Sequence, residues 1–176
     1  MNDNLAITYI STLLVLLAGA AFFVLRQVLR TRSTEGTLSR LQRMISQGQA
    51  TAQTFYELAT IYLDKKMFAQ AVGTLQQALK AQNDDLEPEQ LALIYNALGY
   101  GYVGQEQYDL AIRQYKEAIK LNDQYVTAWN NLGFAYERKQ LDQPALDAYE
   151  NALKINAKND TANRRAKSLR KRIVTP

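Results

Sequence analysis

The sequence predicts an all-α fold in which an N-terminal transmembrane helix is followed by a right-handed solenoid of three helix pairs and a C-terminal capping helix. Three observations support this prediction. Residues 5–25 form an uncharged apolar segment, a pattern of small and aromatic residues then recurs three times, and residues 160–176 carry an apolar stripe among basic residues. A repeat indicates the architecture directly, because each unit can bury its apolar face only against its neighbours.

The composition excludes most familiar active sites. The chain of 176 residues contains no His and no Cys, which removes disulfides, thiolate nucleophiles, Cys/His zinc sites and His-based proton transfer. The acidic side chains, among them Glu57, Asp64 and Glu106, are scattered at no spacing that would bring them together. We therefore expect a protein that is not an enzyme and has no metal, cofactor or small-molecule substrate.

The formal charge of +4 is unevenly distributed. Basic residues concentrate in residues 26–43 and 160–176, whereas residues 44–159 carry a net negative charge. This distribution is typical of a protein held near an anionic membrane surface. Nucleic-acid binding is not expected, because the basic C-terminal residues have no interleaved aromatic side chains that could stack on bases.

The first element is the predicted transmembrane helix at residues 5–25. At about 1.5 Å per residue this helix is roughly 30 Å long, enough to cross a bilayer and contact its lipids. A cleaved signal peptide is the alternative, but residues 1–4 lack the basic residues that such peptides carry. Arg26, Arg30 and Arg32 follow the segment directly, and basic residues collect on the cytoplasmic side. We expect residues 1–4 to be a short non-cytoplasmic stub and the rest to face the cytoplasm or stroma.

Residues 26–51 are predicted to form a basic juxtamembrane linker that contains a short amphipathic helix. Leu38, Leu41 and Ile45 recur at helical spacing within it. This helix would either cap the first repeat or lie on the lipid headgroups. Gly36 and Gly48 bracket it and are expected to act as flexible joints.

The repeats follow the tetratricopeptide-repeat (TPR) pattern of aromatic, Leu, small residue and Tyr, then Ala, an aromatic residue and Ala, with Leu75 at the second aromatic position of the first copy. The third copy starts at Trp129, the second 34 residues earlier at Tyr95, and the first at Phe55. The predicted units are residues 52–85, 92–125 and 126–159, each an antiparallel helix pair. Residues 86–91, which include Pro88, form an insertion that we expect to be a loop.

Small residues are expected where the two backbones of each pair approach closest and where each pair meets the next. The first set pairs Ala59 with Ala71, Gly99 with Ala111 and Gly133 with Ala145. The second set is Ala78, Ala118 and Ala152.

Residues 160–176 are predicted to form a basic capping helix and tail. Ala162, Ala166, Leu169 and Ile173 make one apolar stripe, which we expect to dock on the third repeat. The basic residues around the stripe are either simply solvated or contact lipid or a partner.

The first helix of each TPR lines the concave face, so positions 2, 5, 9 and 12 of each unit are the candidate partner-binding residues. We predict a groove formed by Tyr56, Thr60, Leu63, Leu93, Asn96, Tyr100, Val103, Thr127, Asn130 and Phe134; Gln53 at position 2 of the first repeat and Glu137 at position 12 of the third complete the set. Aromatic side chains can hold an apolar side chain or helix, and amides can bond an extended backbone, so a protein ligand is expected. Alternatively, individual aromatic residues belong to the core.

The groove lacks the cationic clamp with which chaperone-binding TPR domains hold a terminal carboxylate. Tyr56, Thr60 and Thr127 stand where the cations would be required. Recognition of an acidic chaperone tail is therefore not expected.

The anchor that ends Phe-Phe-Val-Leu-Arg-Gln-Val-Leu-Arg-Thr-Arg (residues 22–32), followed by three TPRs with a longer first spacing, resembles a photosynthetic family. It is similar to the single-spanning TPR photosystem I assembly protein of cyanobacteria and plastids. The resemblance implies a thylakoid protein that helps to assemble or stabilise photosystem I through its groove, with photosystem I subunits or assembly intermediates as partners. A general inner-membrane TPR scaffold for envelope biogenesis or secretion is the alternative.

Overall fold

The computed structural model describes the backbone of residues 3–81 and 86–174, and the side chains of these residues except 3–7 and 27–34. Two compact units divide the chain, Met1–Arg43 and Met44–Pro176. The described residues form eight α-helices and no strand. They are α1 (Asp3–Ser46), α2 (Ala52–Asp64), α3 (Phe68–Lys80), α4 (Pro88–Gly104), α5 (Tyr108–Leu121), α6 (Val126–Arg138), α7 (Asp142–Ile155) and α8 (Asp160–Val174).

Helix α1 is continuous from Asp3 to Ser46, so the separate short helix expected in residues 26–51 is the last part of α1. The expectation that Gly36 forms a flexible joint is wrong, because the helix runs through it. An exposed Gly costs a helix only about 0.5–1 kcal/mol relative to Ala, which is too little to break a helix of this length. Gly48 does end it: its φ of 70° lets the amides of Gly48 and Gln49 bond back to the last turn of the helix.

Helices α2 to α7 form three antiparallel pairs, α2 with α3, α4 with α5 and α6 with α7, and each pair packs on the next. All the small residues predicted at the contacts within and between pairs are buried. The closest approach, however, is to an aromatic ring. A Cβ atom on Gly133 would lie 2.8 Å from Cζ of Tyr149, and one on Gly99 would lie 2.6 Å from Cδ1 of Tyr115. These glycines make room for the tyrosine that lies about one helical turn after the paired Ala on the second helix.

The turn inside each pair has the same backbone geometry. Lys66, Glu106 and Gln140 occupy equivalent positions and have φ angles of 58°, 59° and 60°. In the first turn the amide of Lys66 bonds the Leu63 carbonyl at 2.9 Å and that of Met67 bonds the Tyr62 carbonyl at 2.8 Å. The other two turns repeat both bonds. This left-handed C-terminal motif satisfies the free carbonyls of the first helix and reverses the chain.

Helix α4 begins earlier than the repeat pattern predicts. We expected residues 86–91 to be a loop, but Pro88 is the first residue of α4, so Pro88–Leu91 are helical. Proline suits the first helical position because its fixed φ is helical and its missing N–H has no partner there. The backbone N–H of Glu87 donates to Oε1 of Gln90, the third residue of the helix, at 3.1 Å, as in a capping box.

Helix α8 packs against α7, as predicted for a capping helix. Ala162, Ala166 and Leu169 are buried in one cluster with Tyr149 and other residues of α7. Ile173, predicted as the fourth member of the stripe, is 39% exposed. It lies in the last turn of α8, and the prediction that it is buried with the rest of the stripe is wrong.

Candidate partner-binding surface and membrane segment

The predicted groove residues lie on α2, α4 and α6, the first helices of the three pairs. These helices also contact one another, α2 with α4 and α4 with α6, so their residues form a shared surface. We call positions 2, 5, 9 and 12 of the three repeats, counted from Ala52, Ala92 and Val126, the A-helix surface. Position 5, for example, is Tyr56, Asn96 and Asn130 in the three repeats.

A polar network crosses this surface and links the repeats. The Asn96 side-chain amide donates to the Tyr125 hydroxyl oxygen at 3.2 Å, and the Asn131 amide donates to Oδ1 of Asn96 at 2.9 Å. Burial raises the pKa of the Tyr125 hydroxyl, nearby Tyr56 raises it further, and the bond from Asn96 offsets part of the rise. The pKa of Tyr56 is raised by its own burial. Tyr56, Asn96, Tyr125 and Asn131 therefore form one cluster drawn from all three repeats.

Asn130 is the equivalent of Asn96 one repeat later, but its surroundings differ. Its Oδ1 atom is buried and accepts no hydrogen bond from any described residue. A buried acceptor without a donor costs about 1–3 kcal/mol, and a partner's N–H group would recover that energy if the Asn130 side chain turned outward to meet it. Asn130 is therefore a candidate hydrogen-bonding residue.

Apolar side chains occupy the middle of the surface. Tyr100 is 49% exposed, and the Phe68 ring supports it edge-on with ring centroids 6.3 Å apart. Leu93 is 40% exposed, and Phe134 is half-buried. An exposed aromatic ring held in place by another ring is typical of a binding residue, because little freedom is lost when it binds.

Four other predicted residues contribute less. Leu63 is only 8% exposed and belongs to the core cluster between the first and second pairs, so it is not a surface residue. Val103 packs against the core cluster of the second and third pairs. The Thr60 hydroxyl donates to the Glu57 carbonyl at 2.8 Å within its own helix, and Thr127 is exposed.

Glu137, at the end of the surface, is engaged within the protein. The Tyr149 hydroxyl donates to Glu137 Oε1 at 2.7 Å, while Arg165 and Arg172 of α8 lie 3.6 and 3.8 Å from Oε2. Its side chain is 14% exposed. Glu137 therefore joins α6, α7 and α8 and leaves no free negative charge for a partner.

Tyr125 and Asn131 were missed by the sequence analysis. They stand at position 34 of the second repeat and position 6 of the third, outside the four positions used to define the groove. Their role depends on contacts between repeats, which the pattern of a single repeat does not show. Among the described residues, no three acidic side chains lie close enough together to hold a metal ion.

In the other unit, residues Thr8–Arg26 of α1 are long and apolar enough to cross a membrane. The large apolar side chains from Tyr9 to Leu25 are 57–71% exposed. Ser11 and Thr12 donate their hydroxyl hydrogens to the Thr8 carbonyl at 2.9 Å, which lowers the cost of placing them in lipid. Arg26 is exposed, whereas the side chains of Arg30 and Arg32, like residues 1 and 2 of the predicted stub, lie outside the described part.

Comparison with known proteins agrees with this fold. Residues 14–164 match the family described as "Tetratricopeptide repeat protein 21 C-terminal ARM domain". Over 71% of its length the chain also superposes on 94% of the first TPR of Spaghetti (RPAP3), solved bound to the HSP90 peptide SRMEEVD, with a TM-score of 0.64 and 18% identity.

Two relatives have higher sequence identity. "Tetratricopeptide repeat domain-containing protein PYG7, chloroplastic" of Arabidopsis thaliana is 39% identical over 72% of this chain, which spans 41% of the length of PYG7. "Uncharacterized protein ycf37" of Cyanophora paradoxa is 34% identical over 73% of this chain and 73% of its own length. The chain therefore belongs to the tetratricopeptide-repeat family that includes ycf37 and PYG7.

Proposed function

We propose that this protein is a membrane-anchored scaffold that holds photosystem I subunits or assembly intermediates at the thylakoid membrane. The observation that carries the proposal is the A-helix surface, where the exposed Tyr100, the unsatisfied Asn130 and the amide network lie on adjacent helices. The anchor is α1, and the TPR domain would lie on the cytoplasmic or stromal side.

The chemistry of the surface supports a protein ligand. Tyr100 and Leu93 offer exposed apolar area, and the amides of Asn96 and Asn130 offer hydrogen bonds of the kind that an extended peptide backbone makes. TPR domains are protein-interaction scaffolds, and one that shares this fold was solved with a bound peptide. The surface has no arrangement of titratable groups that points to a reaction.

The features of α1 support anchoring. A continuous exposed band of large apolar side chains costs free energy in water, and insertion into lipid removes that cost. Arg26 and the basic residues after it support an orientation that keeps the repeats on the cytoplasmic side. The photosynthetic setting is supported by the resemblance of the anchor and repeat layout and by a relative named as chloroplastic.

The proposal is tested by affinity purification of the full chain from membranes solubilised in mild detergent. The wild type is compared with the double variant Tyr100→Ala with Asn130→Ala, and with a control double variant on α5, Glu117→Ala with Lys120→Ala, whose residues are exposed away from the surface. Mass spectrometry is expected to find photosystem I subunits with the wild type and the control. Recovery with the surface variant should fall at least about tenfold, the effect of losing about 1.4 kcal/mol of binding energy.

Three outcomes would contradict parts of the proposal. Equal recovery by a surface variant that unfolds at the wild-type temperature would remove the A-helix surface from the mechanism. Recovery of envelope or secretion proteins in place of photosystem I subunits would favour a general membrane scaffold. Protection of the repeats from protease added to the cytoplasmic face of sealed vesicles would show that the orientation is reversed.

A further inference from the structure

The first observation concerns the position of α8 in the repeat. Asp160, its first residue, follows Val126 of α6 by 34 residues, the length of one TPR. The buried residues Ala162, Ala166 and Leu169 stand at the same repeat positions as the buried Ala128, Leu132 and Ala135 of α6. Helix α8 therefore occupies the place of the first helix of a fourth repeat.

The second observation concerns the charges of α8, which fall into two groups. The cations beside its buried stripe are paired with acidic residues of the third repeat. Arg165 contacts Glu137, Arg170 contacts Glu150 at 2.9 Å, and Arg172 contacts Asp142 at 2.9 Å. Arg164, by contrast, is exposed and makes no hydrogen bond or ion pair with another described residue.

The third observation is where Arg164 lies. It stands at position 5, the position of Tyr56, Asn96 and Asn130 in the three repeats. Ser168 at position 9 and Lys171 at position 12 follow at i+4 and i+7, so they share a helix face with Arg164, and all three are exposed. This face is opposite the buried stripe of Ala162, Ala166 and Leu169.

Charge distinguishes this face from the rest of the A-helix surface. At positions 2, 5, 9 and 12 of α2, α4 and α6 the one charged residue is Glu137, which Arg165 and Arg172 already neutralise. The surface is thus neutral over the three repeats and becomes positive at α8. A peptide lying across it would meet apolar and amide groups first and cations at one end.

We propose that the exposed face of α8 formed by Arg164, Ser168 and Lys171 extends the A-helix surface and binds an acidic segment of the partner protein. The inference rests on the proposed function, because it assumes that the surface binds a protein. The occupant is an acidic peptide segment because the exposed Arg164 guanidinium has no acidic partner among the described residues and no apolar side chain lies beside it on this face, so charge complementarity selects Asp and Glu. The interaction should weaken as salt is added.

The test is selection from a library of random dodecapeptides on the purified full chain in detergent micelles. Peptides retained by the wild type are expected to be enriched roughly two- to fivefold in Asp and Glu at one end, the range for individual exposed ion pairs. The variant Arg164→Glu with Ser168→Glu reverses the charge of the face and leaves the buried stripe intact, so this enrichment should disappear. The control, Lys120→Glu with Gln70→Glu, makes the same change in net charge at exposed positions outside the surface and should retain it.

The outcomes separate this inference from the function on which it rests. Enriched peptides without an acidic end, lost when Tyr100 becomes Ala, would leave the binding surface standing and overturn the role of α8. Failure to enrich any peptide would overturn both. Acidic enrichment that persists in the Arg164→Glu variant, or that the control also loses, would overturn the inference. If the Arg164→Glu with Ser168→Glu variant selected the same peptides as the wild type but no longer bound anionic lipid vesicles, the face would bind lipid, and the inference would be overturned as well.

Discussion

Helices α6 and α8 start 34 residues apart and carry the same kind of buried stripe on one side, but their residues on the neighbouring side differ. Both bury small or apolar residues against the preceding repeat. On the side where α7 packs, α6 carries Trp129, Gly133 and Tyr136, whereas α8 has Asn163, Lys167 and Arg170 at the equivalent positions.

The difference shows how the array ends. Small and aromatic residues on α6 make a surface that only a second helix can cover, and α7 covers it. Polar and cationic residues on α8 make a surface that water can cover, so no further helix is required. A capping helix is thus a repeat helix with half of its apolar pattern replaced.

The largest effect on stability is expected from a substitution in the buried stripe, which is the feature that α6 and α8 share. Leu169→Ala deletes a fully buried side chain of α8 and should lower the free energy of unfolding by about 2–5 kcal/mol. Ile173→Ala is the matched control. Ile173 is 39% exposed, so removing its side chain should lower the free energy of unfolding much less. Urea unfolding followed by the fluorescence of Trp129, the one Trp in the chain, reports on the third repeat directly. Equal losses from the two variants would mean that α8 is not held by its buried stripe.

A smaller effect on stability is expected from substitutions on the side where α6 and α8 differ, which α7 covers on α6. Gly133→Ala places a methyl group against the Tyr149 ring and should destabilise the domain by about 1–3 kcal/mol. Lys167→Ala, at the equivalent position of α8, should change stability by less than about 0.5 kcal/mol because that side of α8 is open. Thermal unfolding of the two variants checks the contrast. A destabilised Lys167→Ala protein would indicate that this side of α8 is covered.

The smallest effect concerns the ion pairs that replace apolar contacts at the edges of α8. Arg170 and Glu150 are 57% and 39% exposed, so a double-mutant cycle with Ala at both positions should give a coupling of about 0.2–1 kcal/mol. Added salt should reduce it further. Arg164→Ala, which removes an unpaired cation from the same helix, should leave the unfolding midpoint unchanged. A coupling that persists in high salt would show that the pair is shielded from solvent.

Much of the fold was predictable because small side chains recur at fixed positions of the repeat. The positions of Gly99, Gly133 and the buried Ala residues follow from the 34-residue spacing, and the helix pairs follow from them. The start of α4 was missed although its signals are local: Pro88 at the first helical position and the Glu87–Gln90 capping box. The break predicted at Gly36 failed because one exposed Gly costs less than the surrounding helix contributes.

The candidate site was less predictable than the fold. Position 12 was assigned to the surface, yet Leu63 and Glu137 point into contacts with the following helix. Tyr125 and Asn131 joined the site only through hydrogen bonds that cross from one repeat to the next. Such contacts depend on how far each pair is rotated against its neighbour, and the residue pattern of a single repeat carries little information about that rotation.

The turns at Lys66, Glu106 and Gln140 have a consequence for how such a chain can grow. Each is closed by backbone bonds that span at most five residues, and none of the three residues is Gly. A duplicated unit would therefore carry everything needed to form its own joint, with an unbranched polar residue in place of Gly. The added residues before α4 fall between two units and leave both joints intact. Evolution can thus lengthen this protein by whole units, or insert residues between them, without redesigning a bend.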